Sequence, residues 1–82
     1  MTFDEAIARF RAELPGWWWS IGDCHVSADA SCGPHADGPD ADLLQYRLFD
    51  GGFHVDLRQP ACPTESLMAV LEEAKAARAR FK

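Results

Sequence analysis

Positive charge is scarcest in the middle of this 82-residue chain: from Asp23 to Asp56 there are seven aspartates and one base, Arg47. Proteins that grip DNA or RNA do so with Lys and Arg on the phosphates, so this field excludes direct nucleic-acid binding and suits a basic protein partner. Residues 1–60 hold ten acids against four bases and residues 61–82 three against four, so the net charge of −5 resides in the first three-quarters of the chain. No apolar run approaches the roughly 20 residues that span a bilayer. The amino terminus, Met-Thr-Phe-Asp-Glu, is acidic and lacks the basic start of a secretory signal, so a cytoplasmic protein without membrane attachment is expected. Three cysteines cannot all pair within one chain, and reducing conditions would keep them as thiols, so no disulfide framework is expected.

Catalytic signatures are also missing. The sequence has no Gly-rich phosphate loop, no HExxH and no GxSxG. Cys24 or Cys32 could serve as nucleophile with a histidine as base, but no spacing favours one trio, and chains this short rarely enclose a substrate pocket. Cys24, His25, Cys32, His35, His54 and Cys62 would suffice for zinc in number, yet Cys32-x2-His35 is their only close pair and structural zinc sites use two. A non-enzymatic chain without metal or cofactor is expected, with a small zinc module as the lesser alternative.

What is present is a pattern for one compact α+β domain over residues 1–82, with nine aromatics to fill its core. Thr2 and Glu5 have capping-box spacing, and Phe3, Ile7, Phe10 and Leu14 then mark one face of a helix over 3–14, stopped by Pro15-Gly16. In residues 17–28 the apolar positions change phase, from Trp17, Trp19 and Ile21 to Cys24, Val26 and Ala28. A bulge at Gly22-Asp23 would keep this as one long bent strand with Cys24 inside; a hairpin turning at the same residues is the alternative. Residues 30–42 read as a surface loop, residues 43–58 as a hairpin around Asp50-Gly51 or Gly51-Gly52, and residues 64–81 as a helix capped by Thr64 with the stripe Leu67, Val70, Leu71, Ala74, Ala77 and Phe81. The basic cluster Arg78, Arg80 and Lys82 complements the dipole of that helix and needs no ligand.

The resulting order is α-β-β-β-α, a three-stranded antiparallel sheet with two helices on one face. Its other face would carry Trp18, Ser20, Asp23, His25, Ser27, Asp29, Gln45, Arg47, Phe49, His54, Asp56 and Arg58. Trp18 and Phe49 are the expected aromatic anchors of a partner-binding surface. Asp23, Asp29 and Asp56, bordered by Asp37, Asp40 and Asp42 of the loop, supply its charge and would compete for a groove built to bind phosphates. Homodimerisation through the aromatic face is the alternative use. The element order is that of the double-stranded RNA-binding domain, but the corresponding first turn of the last helix, Thr64-Glu65-Ser66, has no base to hold a phosphate.

The run Leu14-Pro15-Gly16-Trp17-Trp18-Trp19-Ser20-Ile21-Gly22-Asp23-Cys24, continuing through Asp29-Ala30-Ser31 to Gly33-Pro34 and later Gly52-Phe53-His54 and Asp56-Leu57, resembles small proteins of alphaproteobacterial phages and prophages. Size and acidity are similar to those of anti-CRISPR proteins. The resemblance implies a type I inhibitor that binds a CRISPR surveillance complex and obstructs its DNA-binding surface. No catalytic residue carries over from it.

Overall fold

The computed structural model describes residues 1–30, 39, 40, 54–59 and 62–81. These form α1 (Phe3–Glu13), β1 (Trp18–Ile21), β2 (His25–Asp29), β3 (His54–Arg58) and α2 (Pro63–Phe81), an α+β fold in the expected α-β-β-β-α order. The expected strand over 43–49, its turn, and the side chains of Phe49 and Phe81 lie outside the described residues.

α1 starts at the expected capping box. The Thr2 N–H donates to Glu5 Oε1 at 2.8 Å and the Glu5 N–H to Thr2 Oγ1 at 3.2 Å, which satisfies two donors left open at the helix start. Its exit is a β-turn in which the Trp17 N–H donates to the Leu14 carbonyl at 3.1 Å. Pro15 occupies the second position and Gly16, with φ of 87°, the third, the form of a type II turn. That turn sends Trp17 straight into the interior, where it is 5% exposed.

The single bent strand expected over 17–28 is instead two strands. β1 and β2 pair antiparallel with Trp18 opposite Asp29, Trp19 opposite Ala28, Ser20 opposite Ser27 and Ile21 opposite Val26. The Gly22 N–H donates to the His25 carbonyl at 2.8 Å, leaving Asp23 and Cys24 as a two-residue connection. A hairpin with an even-numbered loop pairs odd positions with even ones, so the phase change at Gly22 follows from the pairing itself. Twelve residues of straight strand would span about 40 Å, more than the 32 Å longest dimension of the molecule. Folding back keeps the apolar sets on one face within that length. Cys24 is consequently at the exposed turn and not in the core.

β2 is the central described strand, with β1 on one side and β3 on the other. Val26 faces Leu57 and Ala28 faces Val55 across the second pairing. Trp19, Ile21, Val26, Ala28, Val55 and Leu57 thus make the inner face. α2 covers it and α1 packs on α2, so that Ala6, Phe10, Leu14, Trp17, Val26, Ala28, Leu67, Val70, Leu71 and Ala74 share one core. Phe3 of α1 meets Trp19 edge to face, with ring centroids 5.8 Å apart, an arrangement favoured by the ring quadrupoles. α2 begins one residue earlier than expected. The Ser66 N–H donates to the Cys62 carbonyl at 2.9 Å, so Pro63 is the first helical residue and Cys62, not Thr64, precedes it. Proline suits that place because its fixed φ is helical and its missing N–H would have had no partner.

Candidate functional site

Period-two alternation places Trp18 and Ser20 of β1, His25, Ser27 and Asp29 of β2, and His54, Asp56 and Arg58 of β3 on the outer face. The register arranges them in three cross-strand rows: Trp18–Asp29–His54, Ser20–Ser27–Asp56, and His25–Arg58 beside the turn. Two tryptophans go inward, Trp17 fully and Trp19 partly, while Trp18 is 39% exposed. A face of this kind offers one large flat apolar group among polar neighbours.

His54 organises the first row. Its Nδ1 lies 2.6 Å from Asp29 Oδ1, and its Nε2 lies 3.8 Å from Asp56 Oδ2. Asp29 and His54 are direct register partners, which is why the contact forms without distortion of either strand. The sequence pattern put both residues on this face but gave no sign of their contact. The antiparallel register of β2 on β3 brings them together. Asp56 stays exposed at the end of the row centred on Ser27, which is itself 6% exposed between its two neighbours.

Of the six aspartates expected to act together, Asp23, Asp29, Asp40 and Asp56 are described, and their settings differ. Asp23 is exposed in the turn, Asp29 is half-buried against His54, and Asp56 is exposed. Asp40 was expected on an exposed loop rim, yet it is 6% exposed and turned inward. Its Oδ2 accepts the Trp17 indole N–H at 2.7 Å and faces Arg78 Nη1 at 3.5 Å. A buried indole N–H needs an acceptor, and a carboxylate sharing a guanidinium supplies one at tolerable desolvation cost. Asp40 therefore joins the α2 end of the core to the start of β1 and is withdrawn from any docking surface. Asp37, Asp42 and Phe49 lie outside the described residues.

A second group of charges lies where α1 meets α2. Glu13 accepts from Arg9 Nε and from Lys75 Nζ, and its backbone carbonyl accepts from Arg78 Nη1 at 3.2 Å. The hydrogen bond from Lys75, then that from Arg9, holds the Glu13 carboxyl below its ordinary range. This cluster ties the end of α1 to α2.

Concave regions border the described residues. A cleft of about 450 Å³ lies beside the β1–β2 turn, lined by Cys24, His25, Asp56, Leu57 and Arg58. A smaller one of about 240 Å³ lies between Arg11 and the three tryptophans. The third, about 400 Å³, is lined by Met1, Cys62, Thr64, Glu65 and Met68. Among the described residues no three of His, Cys, Asp and Glu gather closely enough to hold a metal ion. No helix among them is long and apolar enough to cross a membrane. No protein-family model, curated protein or solved structure matches the chain.

Proposed function

We propose that the chain is a non-enzymatic binding protein that docks the outer face of its sheet on a basic protein surface. Trp18 is the anchor, and Asp23, Asp29 and Asp56 are the charged contacts. The observation that carries this reading is the 39% exposure of Trp18 in the same row as a carboxylate, while its two neighbouring tryptophans are spent on the interior. Aromatic anchors surrounded by polar groups dominate protein interfaces, and acidic groups beside them steer a cationic partner. The resemblance to phage proteins supplies the partner: a type I CRISPR surveillance complex in the host cytoplasm, with its DNA-binding groove as the docking surface. Asp40, held inside, is removed from the contact set proposed from the sequence.

The test is binding to a purified type I surveillance complex with and without target DNA. The expected result is a stable complex that forms only in the absence of DNA and weakens as salt rises. Failure to associate, with DNA binding unaffected, overturns the choice of partner.

Self-association is the second reading. A second copy could instead cover the exposed Trp18 of the sheet face. Light scattering across a concentration series separates the two, because only self-association gives a dimer in the absence of any partner.

A further inference from the structure

The β1–β2 turn brings a thiol, an imidazole and a guanidinium to one cleft. Cys24 is exposed and reduced, with Sγ 3.9 Å from Nδ1 of His25. The His25 ring lies against Gly22, where a β-carbon would stand 3.4 Å from its Cε1. The residue after β3 pins the same turn: the Gln59 N–H donates to the Cys24 carbonyl at 2.9 Å, and the Gln59 side chain donates to the Gly22 carbonyl. Gln59 therefore fixes the backbone of the turn that carries the thiol and the ring.

Arg58 is the direct register partner of His25, is exposed, and has no ion pair among the described residues. Asp56, two residues earlier on the same face, approaches His54 at 3.8 Å. With Leu57 these residues line the 450 Å³ cleft, a volume in the range that small ligands occupy. The cleft thus offers a nucleophilic sulfur, a base beside it, one cation and one anion.

We propose that Cys24 is a site of reversible mixed-disulfide formation with a small zwitterionic peptide disulfide of the glutathione class. His25 takes the thiol proton, and the Cys24 thiolate attacks one sulfur of the incoming disulfide. A bond from Cys24 Sγ to that sulfur forms as the incoming S–S bond breaks. The departing half leaves as a thiolate and recovers the proton from His25. Cys24 is oxidised and the departing half reduced, so the electrons balance without another oxidant. Arg58 holds a carboxylate of the peptide and Asp56 its ammonium, a pair of charges that selects a zwitterion over a simple anion. Cys62 provides the comparison within the chain: it is also exposed, but the described residues lining its cleft include neither an imidazole nor a guanidinium. The reaction does not require the docking partner, although Asp56 belongs to both surfaces.

The test is to incubate the folded protein with glutathione disulfide, follow adduct formation by intact mass and map it by peptide sequencing. Cys24 should acquire the glutathionyl group about tenfold faster than Cys62. Arg58→Ala should slow that reaction by about tenfold, the value of one charge-assisted hydrogen bond, and leave the rate with the uncharged disulfide of 2-mercaptoethanol unchanged. Arg58→Lys should restore most of the lost rate, and His25→Ala should slow both disulfides. Labelling of Cys62 as fast as Cys24, equal slowing of both disulfides by Arg58→Ala, or a Cys24-linked dimer in place of the adduct would overturn the proposal.

Discussion

The seam between the helices and the outer face of the sheet are both rich in charge, yet they use it in opposite ways. In the seam, Glu13 is gripped by Arg9 and Lys75, and Asp40 is enclosed with Trp17 and Arg78. On the outer face Asp29 is closely paired with His54, while Asp56, Arg58 and His25 line an open cleft. The lesson is that an acid's availability depends on which cation or donor the fold delivers to it. Counting aspartates along the chain treats Asp40 and Asp56 as equivalents; the fold makes one a structural acceptor and leaves the other at the surface.

The sharpest way to break this comparison is to remove the two aspartates in turn. Asp40→Ala should destabilise the protein by about 1–3 kcal/mol, because the buried Trp17 indole N–H loses its acceptor. Asp56→Ala should change stability by no more than about 0.5 kcal/mol, as exposed substitutions do. Urea unfolding of both variants measures the difference. Equal effects would dissolve the distinction. Trp17→Phe in the Asp40→Ala background should cost less than in the parent, since the two groups share one hydrogen bond.

Gly16→Ala tests the turn that delivers Trp17 to the interior. A side chain at the φ of 87° found there is strained, so a loss of about 1–2 kcal/mol is expected from thermal or urea unfolding. An unchanged stability would mean that the turn does not depend on glycine.

Acid should separate the regions by a smaller effect. The Glu13 carboxyl is held below its ordinary value of 4.5 by Lys75 and Arg9, so its folded form binds a proton less readily than its unfolded form. Its stabilising contribution is complete above that ordinary value and is lost as pH falls through the lower folded-state value. Glu13→Gln should therefore flatten the stability profile on the acid side, as measured by unfolding midpoints over an acid series. Trp18→Ala tests the outer face itself. At 39% exposure the ring is more than half covered, so its removal should cost about 1 kcal/mol in unfolding free energy while weakening docking.

Much of the fold was legible because local signals agreed with the tertiary result. Thr2 and Glu5 announced the start of α1, Pro15-Gly16 its end, and the stripe from Leu67 to Ala77 the buried side of α2. The alternation Trp17, Trp18, Trp19 assigned each indole to its correct side. What the pattern did not resolve was pairing. The parity change at Gly22 is satisfied equally by a bulge and by a two-residue hairpin, and burial alone cannot choose between them. The choice rests on the length the domain can accommodate and on Gln59, which closes the turn from a distant part of the chain. With pairing undetermined, the Asp29–His54 contact and the Cys24–His25–Arg58 cleft were out of reach. Asp40 was misplaced for a related reason: a Gly- and Pro-rich setting signals surface, and only the location of the Trp17 indole shows why a carboxylate there turns inward.

The central claim is that the outer sheet face, and not the acids of the seam, makes the docking surface. Its most direct test is the affinity for a purified type I surveillance complex of two variants matched in charge: Asp23→Lys with Asp56→Lys on the sheet side, and Glu72→Lys with Glu73→Lys on α2. The account predicts that the first loses more than about tenfold in affinity, roughly 1.4 kcal/mol, while the second binds like the parent. Parental binding by the first variant, or an equal loss in both, would contradict it.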